Sequence, residues 1–414
     1  MYKKSQMKTF FWAAVIPTLF IISSTVAQEM VEKVRGLQFA ERIVAGGPDD
    51  FMTVRHLRFR GSQREIGKKL AEIAKSRNAL QPLDLGVALV KKRRAFYQEY
   101  YPLHYQRALG AADLFGVTDD SSKDTMLLPY NCPDFGCSVV YYPPDQTATG
   151  NATLSRNYDF STMSWAKMIG SPTQKDQRST TADPYVIEVY PDKGYPSLYL
   201  CAYELLGSAL DGINSEGLTV ALLATSGKEP AKPSCKWQVG LNELEIVRYL
   251  LENCANVEEA RKALSSIETY YFAVPCHYII GDRHGNSFVW EYSLDLKHRF
   301  TIEGEKKVQW VTNHALHEYP KVKNIPASHT SSTFRRFKQL NDKINKSGKK
   351  HSVDTIKQIN FSVRANGMSE GAVRTLWHAI YNCEKRSLEI DFYLGETRSY
   401  KQKRSGYMHF KLDK

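Results

Sequence analysis

Residues 131–140 read NCPDFGCSVV, and the meaning of Cys137 in that stretch decides how the chain is read. A cysteine set directly after a glycine opens "CSVVYY" (137–142), a run with the composition of a strand. Three readings are open: a disulfide or metal clip with Cys132, a buried structural cysteine, or a nucleophile. No histidine lies near the two cysteines at zinc-site spacing, which disfavours a metal clip.

Composition bounds the problem. The chain has 414 residues, 42% hydrophobic and 12% aromatic, enough for a sizeable core and unlike a disordered chain. Length alone suggests roughly two to three units. Lys3, Lys4 and Lys8 precede an apolar stretch, "FFWAAVIPTLFII" (10–22), and Thr25-Val26-Ala27 ends it with small residues. That pattern predicts an export signal over residues 1–27, cleaved after Ala27. The stretch is shorter than the roughly 20 residues a spanning helix needs, and Pro17 interrupts it, so no stable membrane span is expected. The mature protein is expected to be secreted or periplasmic.

The formal net charge is +12, and loss of the three signal lysines leaves +9 (12 − 3). Basic residues gather in "RSYKQKRSGYMHFKLDK" (398–414). With no zinc-finger, helix-turn-helix or RNP-like pattern, this reads as a solvated basic face and not as a nucleic-acid site. The seven cysteines (132, 137, 201, 235, 254, 276, 383) leave at least one thiol over in an exported protein. If that one is Cys137, the other six allow 15 pairings.

Periodicity sets out the elements. Ile66, Leu70 and Ile73 share one helical face, and Ser62 with Glu65 forms a capping-box pattern. Residues 60 to about 116 therefore read as helices, broken near Pro102. From 137 onward, short runs rich in Val, Tyr and Leu alternate with turns and read as strands. "LNELEIVRYLLENCANVEEARKALSSI" (241–267) reads as a helical pair, and "STFRRFKQLNDKIN" and "VDTIKQINF" read as helices. The chain closes on a hairpin turning at "CEKR" (383–386). Residues 171–184 and 317–330 read as surface loops. This order predicts an α+β fold with stacked antiparallel sheets and helices outside.

No G-x-S-x-G, HExxH or Walker A pattern is present. His314 and His317 are three apart but in a Pro-rich setting, a weak metal signal, and His277 reads as a core histidine. Cys137 has another route to activation. If Gly136–Cys137 is cut, the thiol gains its own α-amine, whose pKa of about 7.7–8.0 suits a general base near neutral pH. Gly136, lacking a Cβ, lets the thiol approach its carbonyl.

"FGCSVVYYPPDQTATGNATLSRNYDF" (135–160) resembles the N-terminal-nucleophile (Ntn) cysteine hydrolases of the penicillin acyltransferase and choloylglycine hydrolase group. "RHLRFRGSQREIGKKLAE", "DGINSEGLTVAL", "WVTNHALH", "SSTFRR" and "TLWHAIYN…SLEIDFYLG" resemble further family segments in the family's order. The resemblance implies a four-layer αββα sandwich with an N-terminal helical pro-segment (28–136) and a catalytic chain (137–414). It implies autocleavage at Gly136–Cys137, with Cys137 then attacking a linear amide. Asp159 would hydrogen-bond the new α-amine or the thiol, Asn313 would help place the amine or the reacting carbonyl, Arg156 would favour thiolate, and Arg335 (or Arg336, one position on) would be the late arginine of the site. The family's oxyanion asparagine has no counterpart in "ALLATS" (221–226). The Thr225 hydroxyl, or a backbone N–H near Leu223 to Thr225, is the expected substitute.

The implied partner is a small-molecule N-acyl amide, with no metal or organic cofactor. Export argues against coenzyme A as acyl source, since that metabolite is intracellular. A non-catalytic binding protein on the same scaffold and a basic protein for anionic polymers are the rival readings. Homo-oligomerisation is left open.

Overall fold

The structure is a computed structural model that describes residues 30–34, 36–78, 80–127, 136–163, 178–179, 181–202, 204–226, 236–293, 298–348, 350–367, 372–397, 399 and 401–413. The expected export signal, Cys132 and Cys235 lie outside these residues, as do 171–177 and 180 of the first expected loop.

The chain opens with β1 (Met30–Val34), β2 (Leu37–Gly46) and β3 (Thr53–Gly61). Then come α1 (Gln63–Asn78), β4 (Leu83–Asp84), α2 (Val87–Tyr100), α3 (Pro102–Phe115) and β5 (Lys123–Asp124). The predicted capping box closes on α1: the Glu65 N–H donates to Ser62 Oγ at 3.3 Å and the Ser62 N–H donates back to the Glu65 carboxylate at 3.3 Å. Pro102 separates α2 from α3 by sitting at the start of α3, where its missing N–H costs nothing. Gly67 and Gly110 let α1 and α3 touch backbone to backbone, since a Cβ on either would lie within 2 Å of a carbonyl oxygen of the other helix.

After β6 (Gly136–Tyr142), strands dominate: β7 (Thr153–Ser161), β8 (Tyr185–Pro191), β9 (Ser197–Cys201), β10 (Asp211–Asn214) and β11 (Thr219–Ala224). The helical pair α4 (Glu245–Asn253) and α5 (Val257–Ser266) follows as expected. Next are β12 (Cys276–Gly281), β13 (Ser287–Tyr292), β14 (Arg299–Glu303) and β15 (Gln309–Val311), then α6 (Ser332–Lys346) and α7 (Val353–Phe361). The hairpin β16 (Val373–Asn382) and β17 (Ser387–Glu396) turns at 383–386, and β18 (Gln402–Arg404) and β19 (Met408–Lys411) end the chain.

Two large sheets result. One runs β1-β2-β3-β8-β9-β10-β11-β12-β13-β14, and the other β15-β6-β7-β16-β17-β18 with β19 also on β17. Among the described residues, neighbouring strands are antiparallel except β3 with β8. The sheets stack face to face: Tyr141 Oη of the smaller sheet donates to the carbonyl of Asp282 at 2.5 Å, and Arg156 reaches the Leu222 carbonyl at 2.8 Å. Helices α1–α5 cover the larger sheet and α6 and α7 the smaller. The fold is thus the expected α+β, four-layer αββα sandwich.

Three expectations need correction. The segment before Cys137 is not purely helical: β1–β3 extend the larger sheet, with β2 pairing β3 and β3 pairing β8. The basic C-terminus is not simply a solvated face, since β18 and β19 pair with β17 and bury Phe410 and Leu412. Finally, Cys254 and Cys383 are buried free thiols, so Cys137 is not the single thiol left over and the fifteen pairings of the other six cysteines do not apply.

Candidate active site

Strand pairing builds the site. β6 and β7 run antiparallel with Gly136 opposite Asp159, Cys137 opposite Tyr158 and Val139 opposite Arg156. Side chains alternate along a strand, so Cys137 and Arg156 share the face turned to the larger sheet. Arg156 Nη2 donates to Cys137 Sγ at 3.4 Å and to the Leu222 carbonyl at 2.8 Å, while Nη1 donates to the Leu210 carbonyl at 2.6 Å and to the Asp211 carboxylate. The sulfur therefore lies against the middle of β11.

The main chain of Cys137 is held from the other side. Its N–H donates to Asn313 Oδ1 at 2.7 Å, and Asn313 Nδ2 donates to the Ala224 carbonyl at 2.8 Å. Arg336, on the first turns of α6, donates to Asn313 Oδ1 at 2.8 Å and to the Cys137 carbonyl, and its guanidinium stands 3.9 Å from Asp159 Oδ2. Asp159 Oδ1 accepts from the Thr375 hydroxyl at 2.5 Å. A Cβ on Gly136 would stand 3.3 Å from that of Asp159, so glycine keeps the two strands close here.

Of the residues expected from the sequence, the fold brings Gly136, Cys137, Arg156, Asp159 and Asn313 together. Arg335 is corrected to Arg336. One helical residue turns the side chain by about 100°, which leaves Arg335 exposed and Arg336 buried against Cys137. Thr225 is buried, and its hydroxyl has no hydrogen-bond partner among the described residues. Its N–H already donates to the Pro275 carbonyl at 2.8 Å, which removes that amide from the expected oxyanion donors. Thr219 contacts Cys383 in the turn of the opposite sheet at 4.0 Å. Thr225 follows directly on the last residue of β11, Ala224, whose carbonyl accepts from Asn313.

Asp211, Thr375 and Tyr381 escaped the sequence reading. Tyr381 Oη donates to Asp211, so one carboxylate anchors both Tyr381 and Arg156. Asp211 begins "DGINSEG", and its signal was the need of a buried arginine for a carboxylate. Thr375 carries no local signal.

Burial dominates the electrostatics. It pushes the Cys137 thiol up, and Arg156 opposes that by favouring thiolate. It likewise pushes the Asp159 carboxyl up, against the pull of Arg336 and Thr375. For Arg156, burial disfavours charge, but Asp211 and Cys137 outweigh it and raise its pKa.

The histidines behave otherwise. Burial pushes His314 down to about 4, and its ring bonds Thr312 and the Tyr319 carbonyl. His277 and His317 both contact the Glu291 carboxylate, at 3.0 and 2.7 Å. His277 Nε2 has no partner among the described residues, so its core role is only half satisfied. Among the described residues, no group of three or more His, Cys, Asp or Glu side chains is arranged to hold a metal ion. Nor is any described helix long and apolar enough to cross a membrane.

The family model described as acyl-coenzyme A:6-aminopenicillanic acid acyl-transferase matches residues 147–399, well over half of the chain. The chain belongs to that family. The acyl-transferase match takes in Arg156, Asp159, Asn313 and Arg336, and begins after Cys137. Membership places the protein in an acyl-transferase enzyme family. No curated protein matches it. Among solved structures it is similar to penicillin V acylase from Agrobacterium tumefaciens, at 15% identity over 62% of this chain and 83% of that one, TM-score 0.43. It is also similar to a mutant of conjugated bile acid hydrolase from Clostridium perfringens, at 14% identity over 67% of this chain and 97% of that one, TM-score 0.45. At these scores the structural likenesses add nothing to the functional reading.

Proposed function

We propose that this acyl-transferase family member is an exported, self-processing amide hydrolase whose nucleophile is the Cys137 thiol. In the first event Sγ attacks the Gly136 carbonyl, the C–N bond breaks, and the nitrogen takes the thiol proton to become a free amine. Water then cleaves the Gly136 thioester. In the second event the amine takes the thiol proton, Sγ attacks the substrate carbonyl, and the leaving nitrogen receives that proton. The acyl thioester passes to water or to another amine.

One observation carries this reading: the two atoms of Cys137 that must react are each held by a separate polar side chain, the nitrogen by Asn313 and the sulfur by Arg156. After cleavage Asn313 would accept from the new amine. Arg336 and Asp159 would hold the strand end, and Arg156 would favour thiolate. The Thr225 hydroxyl, without a partner among the described residues, is our candidate for the missing oxyanion donor. Compartment favours N-acyl amides over acyl-coenzyme A as substrates.

The test is incubation of the full chain with penicillin V, a conjugated bile acid and an N-acyl amino acid. Amine release accompanied by an acyl adduct on the peptide beginning at Cys137, both lost in Cys137→Ala, is the expected result. Amine release that persists in Cys137→Ala overturns it.

A further inference from the structure

Three fully buried carboxylates, Glu204, Glu243 and Glu291, each gather the N–H groups of one loop. Glu204 accepts from Leu206, Gly207 and Ser208 at 2.7, 2.7 and 3.0 Å. Glu243 accepts from Phe272, Ala273 and Val274 at 2.8, 2.7 and 3.1 Å. Glu291, on β13, accepts from the Leu316 N–H at 3.0 Å, the His317 N–H, and the Nδ1 atoms of His277 and His317 at 3.0 and 2.7 Å. The Glu291 loop carries Asn313, which accepts from the Cys137 N–H.

That loop leaves β15 in the smaller sheet and crosses to the larger one. Its first part is tied by backbone: the Ser226 N–H donates to the Asn313 carbonyl at 2.8 Å and the Ala315 N–H to the Ser226 carbonyl at 2.9 Å. Its second part is tied by Glu291. Asn313 sits at the first tie, three residues ahead of the first residue Glu291 holds, and divides its amide between Ala224 and the Cys137 nitrogen.

We infer that Glu291 is a positioning residue that holds Asn313, and through it the Cys137 nitrogen, in reacting geometry. The inference rests on the proposed role of Asn313. Four donors converge on the two oxygens of Glu291. An ionised carboxylate can accept all four, whereas an amide would turn its NH₂ toward two of them. Burial works against the charge, but the bonds from His277 and His317 prevail and hold the carboxyl at about 2. Loop displacements of about 1 Å at a reacting group cost on the order of 100-fold in rate.

A double-mutant cycle on the full chain tests the inference. Glu291→Gln, Asn313→Ala and the pair are made by cell-free synthesis, and self-cleavage is followed by intact mass. Alkylation of Cys137 by iodoacetamide and Tm are read alongside. Each single change is expected to slow self-cleavage by about 10- to 100-fold, and the pair no more than about twofold beyond Asn313→Ala, because both act through one contact. Multiplying effects would mean that Glu291 acts only through general structure, and would overturn the inference. An unchanged rate in Asn313→Ala would instead sink the proposed role of Asn313, and the inference with it. If Glu291→Gln does not fold, His317→Ala replaces it, removing one donor and leaving the other three. It must show the same non-additivity with Asn313→Ala.

Discussion

Two arginines, Arg107 and Arg156, are completely buried, and both carry charge against the cost of burial because a carboxylate faces them. Arg107 uses its donors within the scaffold. It forks onto Glu252 at 2.7 and 3.0 Å, reaches Gln63 at 2.7 Å and turns its Nε to His104 at 3.3 Å. Tyr101 and Arg248 complete the carboxylate at 2.6 and 2.8 Å. Arg156 pairs with Asp211 in the same way, but its Nε has no partner among the described residues and one of its bonds goes to a thiol. The first arginine is saturated within the scaffold; the second is incomplete and faces the proposed nucleophile. The saturated cluster also ties α3, from the segment before Cys137, to α4 of the segment after it. Cutting Gly136–Cys137 therefore leaves a buried ionic contact holding the two parts together.

The largest effects should come from breaking either pair. Arg156→Met leaves the buried Asp211 without its arginine and should cost about 3–5 kcal/mol in a denaturant melt; Arg107→Met leaves Glu252 still paired with Arg248 and should cost less. They should part at the thiol: only Arg156→Met should raise the Cys137 pKa and slow its alkylation at a given pH. Equal alkylation rates in the two variants would erase the distinction between the regions.

Next in size is a contrast between neighbours on α6. Arg336→Met should lower turnover by about 100-fold through misplacement of Cys137 and Asn313, while Arg335→Met should stay within about twofold, as exposed residues do. Thr225→Val sharpens the comparison further. An oxyanion donor is worth about 10²–10³ in kcat. Removing a buried hydroxyl that makes no hydrogen bond to a described residue should meanwhile leave Tm unchanged or higher. A lower Tm with intact kcat would make Thr225 part of the scaffold.

The last contrast is that of pH. Glu252 is held at about 2, below its ordinary 4.5, because Arg107 and Arg248 outweigh burial, and Glu291 is held at about 2 by its histidines. A depressed folded-state pKa gives stability that is fully present above the unfolded value and lost as pH falls. The melting temperature should therefore drop between pH 4.5 and about 2. In Glu252→Gln that drop should be shallower.

Much of this was legible in the sequence because the signals were local. The capping box at Ser62 and Glu65, the break at Pro102 and the hairpin turning at 383–386 all depend on neighbours along the chain. Gly136 and Cys137 stood out locally, Arg156 and Asp159 were named through the family resemblance, and one β-ladder pairs all four. Choosing Arg336 over Arg335 required the helix phase relative to a distant strand. Asp211 and Thr375 were hidden because their partners are far away in sequence. The strands β1–β3 were overshadowed by the strong helical pattern that follows them, and β18 and β19 by their charge.

N-terminal sequencing of the purified full chain, with intact mass, tests the central claim most directly. The account predicts a fragment beginning Cys-Ser-Val-Val in the wild type and an uncut chain in Cys137→Ala. A folded, reduced wild type that stays whole across Gly136–Cys137 would contradict it.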